Sequence, residues 1–262
     1  MPVVLPTDAL LWLLIAALAG YAAYCRRHAH LAGPWERVFR SPAAMASAVV
    51  LGTYLTVALL DSVHFRPALE RKTPGEASSY AGEVLSLLDL PLAHLRGGNE
   101  KTYSAPLAMR SYAREQVELP GGRQMRDFPR LKFGGAHLES EGEHDRDVLW
   151  RAIVGLGFAA AIWLAAAIGV MLIRQRAPQL PWGAALTALA AVLVLAGPAF
   201  SLSAVYHVLG TDKVGQDMFY LALKSVRTSL VIGTLTTLVL LPGGGVLGIT
   251  AGYFKGWGDD VI

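Results

Sequence analysis

The sequence predicts an all-α polytopic membrane protein of about five transmembrane helices, with a small α+β extracytoplasmic domain inserted between the second and third. Three observations predict it. Charged side chains make up 16% of the 262 residues and apolar ones 53%, whereas a soluble domain carries about 25% charge. The deficit falls in five uncharged runs, at 9–25, 41–60, 152–173, 182–202 and 229–251, each close to the ~20 residues that cross a hydrocarbon core. Most of the charge lies instead in one stretch, 61–148. The formal charge of +3 is too small to argue for a nucleic-acid partner and suits basic cytoplasmic loops.

The first run is preceded by Asp8 and followed by Arg26 and Arg27. A secretory signal has its basic residues in front, so this run reads as a retained helix with its far end cytoplasmic. Residues 26–40 read as a short loop, with Arg26, Arg27, Arg37 and Arg40 against Glu36 alone. Pro42 then opens the second run, where its missing N–H costs little. Residues 1–60 thus form a transmembrane hairpin. The single cysteine, Cys25, excludes an intrachain disulfide and reads as a small apolar residue at a helix end.

Residues 61–148 are too many for a structureless loop and too few for a large core, so the domain is expected to lean on the membrane helices. Val84, Leu87, Leu88 and Leu92 have helical spacing within 83–95, interrupted by Pro91. Residues 104–114 read as a second short helix, and 117–131 as a hairpin turning at Pro120-Gly121-Gly122. His64, His94, His137 and His144 follow no metal-ligand spacing and read as scattered surface histidines, so no metal or cofactor is assigned. Arg110, Arg114, Arg123, Arg126 and Arg130 read as a solvated face among Glu115, Glu118 and Asp127, or as a dock for an acidic partner.

Residues 149–202 form a second transmembrane hairpin. Its turn carries Arg174, Arg176, Pro178 and Pro181, and Trp182 and Tyr206 mark the borders of the fourth run. Charge in the short loops sets the orientation. The two arginine turns lie on one side, expected to be cytoplasmic. That places the N-terminus and 61–148 outside. Residues 203–228 then read as an outer interfacial segment. Thr211 or Asp212 is the expected helix cap, and Lys224 and Arg227 are expected to snorkel to lipid headgroups. In the fifth run Pro242 is expected to break the helix, and Gly244, Gly248 and Gly252 recur at four-residue spacing, which permits close helix packing or lines a pathway. No charge lies within any run, which disfavours an ion-coupled transporter. No phosphate-binding loop or nucleophile elbow is present, so the chain reads as a non-enzyme with no catalytic residues.

The stretch 210–262 also carries a resemblance. Gly210, Thr211, Asp212, Gly215, Asp217, Arg227, Ser229 and Leu230 precede the fifth run, and Ala251, Gly252, Tyr253, Phe254, Gly256, Trp257 and Asp259 follow it. This resembles the first half of the permease core of the dipeptide/oligopeptide/nickel ABC importers, over about a fifth of the chain. Gln216, Leu221 and Ser225 depart from the family pattern, as do four predicted helices before the motif where a typical member has one. The resemblance implies an outer gate at Gly210–Ser229 and a cytoplasmic exit motif at Tyr253–Asp259. It also implies the partners: a second permease subunit, ABC ATPase subunits and an extracytoplasmic substrate-binding protein, in the bacterial inner membrane. Membrane lipid surrounds such a protein. The family's EAA coupling loop does not appear in the sequence, so 229–262 is expected to be the first part of a permease core, truncated or split. The competing reading is a non-transporting membrane protein with a partner-binding outer domain and a permease-like remnant. A membrane-embedded hydrolase has only the unplaced histidines in its favour.

Overall fold

The computed structural model describes residues 1–68, 80–118, 124–175 and 177–253. The elements run β1 (Pro2–Val3), α1 (Pro6–Arg27), α2 (Ala29–Phe39), α3 (Pro42–Ser62), β2 (His64–Phe65), β3 (Leu85–Ser86), α4 (Ala93–Gly97), β4 (Glu115–Glu118), β5 (Gln124–Asp127), α5 (His144–Arg174), α6 (Trp182–Ser203) and α7 (Met218–Tyr253). The described structure is mostly helical. Five helices, α1, α3, α5, α6 and α7, are long and apolar enough to cross a bilayer. Two small sheets accompany them: an antiparallel β1-β2-β3 ribbon and the β4-β5 hairpin.

The apolar runs form helices because a backbone surrounded by hydrocarbon must satisfy its own hydrogen bonds. Their sides are largely exposed, as at Phe158, Leu195 and Leu241, which suits lipid-facing surface. Where helices do meet, small residues make it possible. α5 and α6 lie antiparallel, with Gly155 against Gly197 and the Trp163 indole donating to the Leu186 carbonyl at 2.9 Å. A Cβ on Gly155 would sit 2.5 Å from the Gly197 carbonyl oxygen. α3 packs on α6 and α7, joining the two hairpins.

The segment between α3 and α5 packs on the helix ends through two apolar clusters. Leu88, Leu92 and Leu95 meet Val57 of α3 and Phe219, Tyr220 and Leu223 of α7. Met109 and Leu138 meet Leu202 at the end of α6, Tyr206 just beyond it, and Val148 and Ala152 of α5. Backbone hydrogen bonds stitch the segment to the α6–α7 connection: Leu107 N to His207 O, Gly135 N to Val205 O and Glu100 N to Gly215 O, all within 2.9 Å.

Several local expectations change. Residues 26–40 are not a loop: α2 occupies most of them, despite Gly33 and Pro34. Residues 83–95 are not one helix. They divide into β3, a 3₁₀ turn at Leu87–Asp89 and the short α4, because Ser86 and Asp89 cap each other and Pro91 removes a donor. Residues 104–114 hold turns and isolated bridges rather than a helix. The expected hairpin is present as β4-β5, although its turn, 119–123, lies outside the described residues. The expected break at Pro242 is absent, and the boundary at 228/229 falls inside a helix: α7 runs unbroken from Met218 to Tyr253. One missing N–H costs a single ladder bond, whereas unwinding in an apolar medium would strand several.

The glycines of α5–α6 and of α7 should respond oppositely to substitution. Gly155→Ala should destabilise the purified chain by about 1–3 kcal/mol through overpacking. Gly243→Ala and Gly248→Ala meet nothing within 4 Å and should be neutral or stabilising. Thermal denaturation in detergent measures both.

Candidate functional site: a charged collar at the helix ends

α1 begins, α3 ends and α7 begins at the same end of the molecule, and charged residues meet there. Asp8 lies in the first turn of α1, Asp61 in the last turn of α3, and Lys224 and Arg227 on one face of α7. Arg227 Nη1 donates to Asp8 Oδ1 at 2.5 Å, and its Nε lies 3.1 Å from Asp61 Oδ2. Lys224 Nζ donates to Asp61 Oδ1 and Asp89 Oδ2 at 2.9 Å and to Ser86 Oγ at 3.0 Å. The Tyr220 hydroxyl donates to Asp89 Oδ1 at 2.8 Å. His64 Nδ1 lies 2.9 Å from Asp8 Oδ2. Asp8 and Asp61 are 1% exposed, so the network lies inside protein. Each carboxylate therefore needs its cation, and the two α7 cations hold three carboxylates from three other elements. Burial pushes the Asp89 carboxyl up, but hydrogen bonds from the Ser86 backbone, Lys224 and Tyr220 hold it below its usual value.

Two expectations are corrected here. Lys224 and Arg227 do not snorkel toward headgroups; they turn inward to the carboxylates of Asp8, Asp61 and Asp89. His64 is not a scattered surface histidine, because strand β2 carries it onto Asp8, where it is buried.

The polar loop before α7 forms a second buried cluster. Gly210 (φ +76°) and Gly215 (φ +81°) take left-handed backbone that suits glycine. A Cβ on Gly215 would overlap the Glu100 carbonyl oxygen. Thr211 Oγ1 donates to the Thr102 carbonyl at 2.8 Å, and Asp212 Oδ1 accepts from the Val214 and Gln216 N–H groups, closing the turn. Neither Thr211 nor Asp212 caps α7. Asp217 does, its Oδ1 accepting from Phe219 and Tyr220 N–H. Asp217 Oδ2 also lies 2.7 Å from His207 Nδ1, while His207 Nε2 lies 3.4 Å from Glu100 Oε1. Glu100 accepts in turn from the Lys132, Phe133 and Gly134 N–H groups. Burial pushes the His207 imidazole down, but Asp217 and Glu100 outweigh it and hold its value above the ordinary 6.5.

A third cluster joins His137, Asp147 and Tyr206. Asp147 Oδ2 accepts from the Tyr206 hydroxyl and from Arg151 Nε, and lies 2.9 Å from His137 Nε2. Burial, and then the Asp147 carboxylate, push the Tyr206 hydroxyl above its usual value.

Of the residues singled out in the sequence, Gly210, Thr211, Asp212, Gly215 and Asp217 build one loop, and Arg227 joins the collar. Ser229 lies apart, lining a groove of about 650 Å³ with Leu14 of α1 and Leu230, Thr234, Leu241 and Pro242 of α7. Gly244 and Gly248 face open space within this chain. Gly252 and Tyr253 end α7, and Phe254, Gly256, Trp257 and Asp259 lie outside the described residues. Sequence reasoning missed Asp61, Asp89, Glu100, Asp147, His207 and Tyr220. For Asp61 a signal existed: it ends one apolar run on the side where two cations begin another. Among the described residues no cluster of histidine, cysteine and carboxylates has the makings of a metal site. The collar holds helix ends in register.

The chain is locally similar to known ABC permease proteins. It is 43% identical over 56 residues to the glutathione transport system permease protein GsiD of Pectobacterium atrosepticum, covering 21% of this chain and 19% of that protein. It is 42% identical over 56 residues, with the same coverage, to the oligopeptide transport system permease protein OppC of Lactococcus lactis subsp. lactis and of subsp. cremoris. The chain thus spans about a fifth of the length of the curated relatives it matches. No family model matches it. No solved structure matches it.

Removing one collar cation leaves buried carboxylates uncompensated. Arg227→Ala should destabilise the chain by about 3–5 kcal/mol, whereas Arg114→Ala, on the exposed surface, should cost under about 0.5 kcal/mol. Comparing thermal midpoints in detergent tests the contrast. His207 gives a pH dependence of defined sign. Its folded value is raised, so its contribution is complete below 6.5 and fades as pH rises through the folded value. The thermal midpoint of the wild-type chain should fall across that window more steeply than that of His207→Gln.

Proposed function

We propose that the chain is a membrane-spanning permease subunit of an ABC importer that moves peptides or similar small solutes across the bacterial cytoplasmic membrane, driven by separate ATPase subunits. The observation that carries this reading is the local identity to GsiD and OppC, named respectively for glutathione and oligopeptide transport. Five spanning-length helices support it. In this reading residues 61–148 lie outside, and the partners are a second permease subunit, an ATPase pair and an extracytoplasmic substrate-binding protein. The loop from Gly210 to Asp217, with Arg227 and Ser229, serves as the outer gate of the pathway. Gly244, Gly248 and Gly252 meet a helix of the partner permease or line the path, and Tyr253 with 254–259 forms the cytoplasmic exit.

One observation favours the competing reading, a non-transporting protein whose outer domain binds a partner. Thr211 is bonded to Thr102, Gly215 to Glu100 and Asp217 to His207, which is a structural duty. Uptake separates the readings. Source cells lacking the chain should lose ATP-dependent uptake of labelled glutathione or short peptides, and affinity capture of the chain from native membranes should bring down an ATPase. Unchanged uptake across a peptide panel, with no ATPase captured, would favour the partner-binding protein. Gly248→Leu gives a finer test: it should leave the isolated chain stable while reducing uptake at least tenfold.

A further inference from the structure

We propose that α2 is a docking surface for anionic phospholipid, lying flat on the face of the bilayer opposite the charged collar. The geometry places it there. α1 from Asp8 and α3 from Asp61 leave the collar together, since Arg227 holds both carboxylates. Each then runs about 28 Å, at about 1.5 Å per residue, to Arg27 and Pro42. Their far ends therefore lie at one level, close to a hydrocarbon core of about 30 Å from the collar. α2 joins those two ends. The chain breaks to extended backbone at His28 on one side and Ser41 on the other, so α2 continues neither helix and crosses between them.

Its sequence fits that surface. Leu31, Trp35, Val38 and Phe39 share one face at i, i+4, i+7 and i+8, while His30, Arg37 and Arg40 fall on the opposite face. The Trp35 ring meets Tyr21 edge-on at 6.3 Å, and Tyr21 belongs to the apolar part of α1. The apolar face thus points toward the hydrocarbon. Trp35, Val38 and Phe39 remain exposed, so this chain does not cover that face. Around the helix stand Arg26, Arg27, Arg37 and Arg40, all exposed, against the single acid Glu36. Glu36 lies 3.7 Å from Arg40 in an exposed pair of little strength. Among the described residues, Arg26, Arg27 and Arg37 have no acidic partner. Three unmatched cations beside an amphipathic helix with an aromatic underside complement an anionic headgroup layer. This inference concerns the chain's seat in the bilayer and does not depend on the transport reading.

The test is lipid retention by the full chain, released from nanodiscs of mixed phosphatidylglycerol and phosphatidylcholine and measured by native mass spectrometry. The wild-type chain should retain phosphatidylglycerol over phosphatidylcholine by about fivefold or more, and added salt should reduce that preference. R26Q/R27Q/R37Q/R40Q should bring the ratio near parity. R114Q/R126Q, on the 61–148 segment, should leave it unchanged, and R26K/R27K/R37K/R40K should retain most of it. Circular dichroism on each variant confirms that the helices are intact. Parity in the wild type, or a preference surviving in the quadruple glutamine variant, would overturn the proposal. So would a soluble protein captured through these arginines in a wild type that shows no lipid preference.

Discussion

Two carboxylates that sit where hydrocarbon gives way to protein constrain everything else in this structure. Asp8 and Asp61 end apolar helices and are closed off from water. An ion in such a place is tolerated only beside a counter-ion held in good geometry. α7 supplies both counter-ions, Lys224 and Arg227, less than one helical turn apart. The position of α7 against α1 and α3 follows from that requirement. So does the docking of the intervening segment, because Asp89 takes up the remaining capacity of Lys224 and capping by Ser86 orients it. The network adds little net stability over an apolar substitute of similar shape, but it penalises any other register of the three helices.

The three polar clusters divide the work of fastening the segment between α3 and α5. The collar fastens it to α1, α3 and α7; His207, Glu100 and Asp217 fasten it to the cap of α7; and Tyr206, Asp147 and His137 fasten it to α5. Between them lie the apolar contacts of Leu88, Leu92 and Leu95 and of Met109 and Leu138. Among the described residues the segment has no extensive core of its own, and it packs on the helix ends. A displacement of α7 therefore has to break, or carry along, contacts at two of the three sites.

The spanning helices were legible in the sequence because uncharged runs of fixed length have few alternatives. The polar segment was less legible. Ser86 and Asp89 outcompeted the helical spacing of 83–95 by capping locally, and turn geometry replaced the helix expected at 104–114. α2 was hidden because four arginines against one acid read as a basic turn, and the helix carries Pro34 in its interior. The loop at Gly210–Asp217 was recognisable as a motif, yet its role as a clamp depends on Glu100 and Thr102, more than a hundred residues earlier. Pairings across such distances leave no periodic trace. Lys224 and Arg227 were misjudged for that reason, their partners lying 219 residues away for Asp8 and 163 for Asp61.

That separation has a consequence for biosynthesis. The ribosome delivers Asp8 and Asp61 to the membrane with the first hairpin, long before α7 exists. At roughly 5–20 residues per second, Arg227 emerges some ten to forty seconds after Asp8. During that interval the two acids lack the cations that α7 supplies. The first hairpin is therefore inserted incomplete, and the arrival of α7 completes it. A nascent chain that stalls before Lys224 therefore carries two acids without the cations that α7 supplies.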